Sequence, residues 1–267
     1  MLKNLTIVIG AMKSGTSSLH SYLDLHPDVT MSRAKELNFF VEHQSWPRGL
    51  NWYRRQLGHP ALLRGESSPN YTKHPTFPGV PERMHGVAPD ARLIYLVRDP
   101  ISRVLSHYVH NLSHGRETRP VDEALANVET NPYVYPSRYH FQIEQFLAFY
   151  DRSQLLVLDQ LDLLNDRRAA LKHTFEFLGV DADFDHPGFD RILHSSSAKG
   201  QPTPLARKLS RLPGGRLLRY AIPPLFETPI DKPLPSEATL DALKACLKPD
   251  ADALRDLTGL PFKHWSV

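Results

Sequence analysis

The 267-residue chain has one cysteine, Cys246, so an intramolecular disulfide framework and a thiolate zinc cluster are both excluded. It has no apolar run near the ~20 residues needed to cross a bilayer. The apolar stretch Leu5 to Ile9 is shorter than the ~7–15 residues of a secretion-signal core, which makes cytoplasm the expected compartment, with membrane association left open. Excess charge of one sign is also scarce. Against 32 Lys+Arg stand 29 Asp+Glu, a net +3, too mild for coating nucleic acid but compatible with a site that gathers a small polyanion. The 14 histidines include no H-E-x-x-H, and Ser195-Ser196-Ser197 lies in no G-x-S-x-G elbow, so metal-dependent hydrolysis and α/β-hydrolase chemistry lack their signatures. There is no internal repeat or low-complexity tract.

What remains is a chain that is 41% hydrophobic and 23% charged, enough for one globular domain over 1–267. Strands are expected at Leu5 to Ile9, near Val29-Thr30-Met31, at Ala61 to Arg64, at Leu93 to Val97 and at Leu155 to Leu158. Helices are expected from Thr16 to about Leu25, Ser102 to about Leu112, Ser137 to Tyr150 and Arg167 to Leu178. The alternation predicts an α/β fold, P-loop-type and three-layered, with a mainly parallel central sheet flanked by helices. In such sheets ligands gather at the carboxyl ends of the strands. Ser113 to Pro136 is polar and without period, and reads as an excursion over the surface. Residues 201–267 read as a Pro-rich lid or substrate-shaping segment followed by a terminal helix, Leu240 to Leu257, with Trp265 pinning the C-terminus. Trp52-Tyr53-Arg54-Arg55 fits either a substrate wall or a helix face with its aromatics turned inward.

The sharpest motif is Gly10-Ala11-Met12-Lys13-Ser14-Gly15-Thr16-Ser17, between the first strand and the first helix. Glycines permit a tight turn, and the N–H groups opening the helix face whatever lies over it, so the loop is an anion cradle. A nucleoside-triphosphate P-loop reads G-x-x-x-x-G-K-[ST]. Here Thr16 holds the lysine slot and Lys13 is the loop's only cation. A plain strand-to-helix turn with a surface lysine is the alternative. A second constellation, Arg98-Asp99-Pro100-Ile101-Ser102-Arg103-Val104-Leu105-Ser106-His107-Tyr108, follows the Leu93 strand. Asp99 suits an N-cap and Pro100 a first helical turn. Arg98 with Ser106 would make a phosphate clamp, whereas an Arg98–Asp99 ion pair on a loop is the simpler reading.

Together, G-x-x-K-[ST]-G-T-[ST]-x-L and R-[DN]-P-x-x-R-x-x-S-x-Y resemble the sulfotransferases that use 3′-phosphoadenosine 5′-phosphosulfate (PAPS), in particular a bacterial member related to the heparan-sulfate-type domain. The resemblance implies that Lys13, Ser14, Gly15, Thr16 and Ser17 bind the 5′-phosphosulfate, and Arg98 and Ser106 the 3′-phosphate. Lys35-Glu36-Leu37-Asn38-Phe39-Phe40 is similar to the K-E-x-H-F-F segment whose glutamate is the proposed general base, so Glu36, Lys35 and Lys13 form the implied catalytic set. Glu66-Ser67-Ser68-Pro69-Asn70-Tyr71 is similar to E-K-S-P-x-Y. Ser195 to Gly200 is similar to the loop that closes over the nucleotide, which brings in Lys199 and Gly200.

The implied reaction is sulfuryl transfer from PAPS to a small-molecule or glycan acceptor, most simply a hydroxyl, with no metal and no nucleic-acid partner. Asn38, Ser67 and Gln201 depart from the family's histidine, lysine and arginine, which argues against a heparan-like polysaccharide. Glu36 is expected to be partly desolvated, with His107 a competing base that helix geometry turns away from Ser106. A P-loop kinase or NTPase, and a non-catalytic nucleotide-binding protein of the same fold, are the alternatives.

Overall fold

The computed structural model describes residues 1–59, 61–191, 200–202, 227–229 and 234–267; Lys199 and Ser195-Ser196-Ser197 lie outside the described residues. The central strands are β1 (Leu5–Gly10), β2 (Val29–Met31), β3 (Leu63–Ser67), β4 (Arg92–Val97) and β5 (Leu155–Asp159). They run in the order β2-β3-β1-β4-β5 with every pair parallel. Between and after them come helices α1 (Thr16–Leu23), α2 (Gly49–Gln56), α3 (Val80–Val87), α4 (Pro100–Ser113), α5 (Val121–Ala124), α6 (Tyr139–Leu147), α7 (Gln160–Asn165), α8 (Arg167–Leu178) and α9 (Glu237–Thr258). Two further strands, β6 (Gly200–Pro202) and β7 (Glu227–Pro229), pair antiparallel, and the backbone of β6 runs against α4.

The period-2 alternation of the strands divides the core into layers. Ile7, Ile9, Leu93, Tyr95, Val97, Leu155 and Val157 face α3, α6 and the end of α9. Val8, Ile94, Leu96, Leu156 and Leu158 face α1 and α8. The expected three-layer parallel α/β architecture is the observed one.

Two expectations need correction. The strand placed at Ala61 to Arg64 is β3, Leu63–Ser67, shifted toward Glu66 and Ser67. The apolar pattern misleads because the carboxyl half of β3 buries polar residues: Glu66, Ser67 and Ser68 are each fully inaccessible. The stretch from Ser113 to Pro136 is not a loose excursion. Val121, Ala124, Leu125, Tyr133 and Val134 are buried with Leu243 and Leu247 of α9, forming a third apolar cluster beneath α4. Trp265 anchors the tail as expected, stacking on Phe262 with centroids 4.1 Å apart and donating from Nε1 to Asp159 at 3.2 Å.

Candidate functional site: an anion cleft at the carboxyl ends of the strands

The loop after β1 turns into α1 through Gly15, whose φ of 94° lies in the left-handed region that glycine enters without strain. Gly10 is fixed by close approach instead, since a Cβ there would run into the Thr72 hydroxyl and the Tyr95 ring. The opening N–H groups of α1 have no acceptor within the helix. They face a cleft of about 310 Å³, at the small end of the ~300–1,000 Å³ typical of ligand sites.

Lys13, Gly15, Thr16 and Ser17 line this cleft from the loop, Lys35 and Glu36 from the segment after β2, and Arg98 and Ser106 from the region after β4. Residues far apart in sequence thus share one cavity. Ser14 does not line it: the side chain is fully buried and its N–H is engaged by the Ala11 carbonyl at 3.2 Å, so Ser14 builds the loop from behind. Gly200 opens β6, beside the helix that carries Ser106.

Two arginines splint the loop. Arg98 Nη1 donates to the Lys13 carbonyl at 3.3 Å, and the Arg98 carbonyl in turn accepts from Tyr139 Oη at 2.9 Å. Burial pulls the Arg98 pKa down, yet a guanidinium starts so high that it stays cationic. Arg103 is fully buried, bonds Ser137 and the Tyr133 carbonyl, and reaches the Met12 carbonyl at 3.5 Å. Asp99 caps α4 as expected, accepting from Ser102 N at 2.7 Å, while its other oxygen takes Ser266 N at 2.6 Å and Ser266 Oγ at 2.7 Å. Burial alone would raise the Asp99 carboxyl, but these donors outweigh it and hold it low. Asp99 therefore fixes the start of α4 rather than pairing with Arg98.

Glu36 differs from expectation in its surroundings. Its side chain is 50% exposed and lies 2.8 Å from Lys35 Nζ. The chain passes through the left-handed region at Glu36 and Asn38, with φ of 66° and 50°, which sets Glu36 at the rim instead of in a desolvated pocket. The buried carboxylate nearby is Glu66, which accepts from Tyr53 Oη at 2.9 Å, Tyr71 Oη at 2.6 Å and Ser68 Oγ at 2.5 Å. Burial raises its pKa and the three donors oppose the rise. Ser67 faces away from the cleft, with its hydroxyl 2.9 Å from His20 Nδ1.

The Trp52-Tyr53 cluster is the inward-turned face: Tyr53 is buried and stacks on Phe39 at 4.3 Å. His107 packs against Tyr133 at 4.8 Å, outside the cleft, and burial, with Arg103 next, pushes its pKa down to about 2. It is a structural neutral imidazole.

Pro69 and Asn70 of the Glu66-to-Tyr71 segment also line the cleft, together with His110 and Gln160, to which the sequence motifs assign no role. Signals existed: His110 is one helical turn beyond Ser106 on the same face, and Gln160 directly follows the carboxyl end of β5. Lys73, at the end of the short turn 69–72, is not among the residues that line the cleft. Its ammonium is pulled down to about 8 by burial, with Arg103 adding to the effect and Glu36 opposing it. Among the described residues, no group of three or more His, Cys, Asp or Glu is placed to hold a metal ion, and no helix is long and apolar enough to cross a membrane.

Comparison with known proteins addresses the same segments. The chain is 30% identical over 214 residues to heparan sulfate glucosamine 3-O-sulfotransferase 6 of Mus musculus, covering 73% of this chain and 57% of that protein. It is 31% identical over 215 residues to the mouse 3-O-sulfotransferase 3B1, covering 73% and 50% respectively. The chain thus spans half to little more than half the length of these two relatives. A crystal structure of a sulfotransferase from Alicyclobacillus acidocaldarius superposes with a TM-score of 0.72 at 23% identity over 100% of both chains, a likeness of fold. The sulfotransferase-domain family model matches residues 3–203, a span that includes both the loop and the Arg98 segment, and on that match the chain belongs to the sulfotransferase family.

Proposed function

We propose that the protein transfers the sulfuryl group of PAPS to an acceptor hydroxyl by in-line displacement. The observation that carries this reading is the single cleft that joins the loop cation Lys13, the Arg98–Ser106 pair and the Glu36 carboxylate. A nucleotide with two separate anionic groups fits two separate anion sites on one wall, one at the N-terminus of α1 and one at the carboxyl end of β4. PAPS supplies the activated sulfuryl group and a bisphosphate leaving group. The residues do the rest.

Lys13 and the opening N–H groups of α1 neutralise the charge that gathers on the departing 5′-phosphate; preorganised donors of this kind are worth about 10²–10³ in rate each. Arg98 and Ser106 hold the 3′-phosphate and so fix where the sulfur lies. Glu36 takes the proton of the attacking hydroxyl, and Lys35, at 2.8 Å, holds that carboxylate in place. Lys199 and Gly200 are proposed to complete the nucleotide side.

Transfer of labelled sulfate from PAPS to a panel of heparan-type oligosaccharides and phenols tests the proposal. Lys13→Ala should lower turnover about 10²–10³-fold and Glu36→Gln about 10²–10⁴-fold, both with the fold intact by circular dichroism. Full turnover in Glu36→Gln would remove it as the base. Binding of the bisphosphate product PAP with no transfer to any acceptor, water included, would favour a non-catalytic nucleotide-binding role. Thermal stabilisation by Mg-ATP and not by PAP would favour a kinase or NTPase.

A further inference from the structure

We propose that Glu66 and Ser68 are positioning residues for Glu36: the buried carboxylate orients the Ser68 hydroxyl, and the hydroxyl pins the left-handed turn that presents Glu36 to the cleft. This inference rests on Glu36 acting as the base. Residues 36–40 carry two non-glycine positions in the left-handed region, φ 66° at Glu36 and 50° at Asn38, a conformation that persists only where the surroundings hold it.

The holding groups all come from the end of β3 and the turn after it. Glu36 N donates to the Ser67 carbonyl at 2.9 Å, Asn38 N to Ser68 Oγ at 2.9 Å and Phe40 N to Tyr71 Oη at 3.5 Å. Alternate residues of the turn are thus pinned to successive points of one fixed scaffold.

Glu66 determines which way those hydroxyls face. Tyr53 and Tyr71 donate to Oε1 of Glu66 and Ser68 to Oε2, so all three direct their hydrogens at the carboxyl group. That leaves the lone pairs of Ser68 and Tyr71 free to receive the N–H groups of Asn38 and Phe40. Tyr53 adds the packing side of the same hold, since its ring lies flat on Phe39 at an interplanar angle of 7°.

The test compares Ser68→Ala, Ser68→Thr and Glu66→Gln with wild type by hydrogen exchange, PAP calorimetry and turnover of labelled PAPS. Turnover is read on whichever oligosaccharide or phenol of that panel is sulfated, with water as the acceptor where none is. In Ser68→Ala, amide exchange over 35–40 should quicken about 10-fold or more, as expected for one lost buried bond, with the β-sheet amides unchanged. The kcat should fall about 10–100-fold, the scale of a small misplacement of a reacting group, while the KM for PAPS and the PAP affinity hold. Ser68→Thr, which keeps the hydroxyl, should restore both, and Glu66→Gln should fall between. Unchanged exchange over 35–40 in Ser68→Ala overturns the proposal, and so does faster exchange with unchanged kcat. Glu36→Gln run alongside separates the two claims: full turnover there removes both, whereas full turnover in Ser68→Ala alone removes only the positioning role.

Discussion

Replacing Arg98 should erase the protein's preference for a nucleotide with a 3′-phosphate while sparing its affinity for one without. Arg98 reaches the cleft from the carboxyl end of β4 and spends Nη1 on the Lys13 carbonyl, leaving the rest of its fork for a ligand. Hydrogen bonds to charged groups contribute about 1.5–3 kcal/mol each. Losing one or two of them should cost PAP roughly 3 kcal/mol, which is about 10²-fold in Kd. Burial, already evident in the lowered pKa of Arg98, limits screening, so the loss should persist when salt is raised. The assay is isothermal titration of PAP and of 5′-AMP against wild type, Arg98→Ala and Ser106→Ala. Because Arg98 also splints the loop, the AMP arm is decisive: a slackened loop would weaken both nucleotides, whereas a lost 3′-phosphate contact weakens only PAP. Ser106→Ala should cost PAP about 1 kcal/mol and AMP nothing. Equal losses for PAP and AMP in Arg98→Ala would refute the 3′-phosphate assignment and reduce Arg98 to a loop support.

Other consequences concern stability. His107 has its pKa near 2 in the folded chain, against 6.5 when unfolded. Between those values the unfolded chain binds more protons, so the His107 contribution is full above pH 6.5 and is lost as pH falls below it, by about 1.4 kcal/mol per unit. Urea unfolding at pH 7 and pH 5 should therefore show a smaller pH loss in His107→Gln than in wild type; identical losses would mean that the imidazole titrates alike in the folded and unfolded chains. Trp265→Ala removes a ring stacked on Phe262 and the donor to Asp159, and should cost about 3–5 kcal/mol. Trp265→Phe should cost only about 1 kcal/mol, the value of one hydrogen bond. If the two variants unfold at the same urea concentration, the packing argument is wrong.

The strands were legible where burial is on both faces, since β1, β4 and β5 are unbroken apolar runs. The strand β3 was not, because its last residues are Gly65, Glu66 and Ser67, and a buried polar strand end leaves no apolar trace. The loop and the Arg98 segment were legible as chemistry because each concentrates glycine or cation next to a strand end. What could not be read was the depth at which each group sits. Glu36 was expected in a desolvated position, yet its partner Lys35 and a left-handed turn leave it at the rim, and the desolvated carboxylate is Glu66, thirty residues on in sequence and joined to the same turn through Ser68. Tyr53 and Tyr71, its donors, read only as apolar residues until a partner is placed beside them.

The displaced lysine takes on a definite meaning beside these contacts. In a nucleoside-triphosphate loop the cation rises from the first turn of the helix, after the second glycine. Here that position is Thr16, only 4% exposed, and the cation is Lys13, at φ 73° on the loop itself. The loop carbonyls beneath it do not face solvent but accept from guanidinium groups, Met12 from Arg103 and Lys13 from Arg98. Positive charge thus enters the cradle from the β4–α4 segment as well as from Lys13 on the loop, and Arg98, like Lys13, also lines the cleft. Such coupling ties loop geometry to the second anion site, so a ligand that fills only one of them gains half of what the wall offers. A triphosphate aligned along α1 would leave Arg98 and Ser106 unused; a nucleotide phosphorylated on both the 3′ and 5′ positions would not.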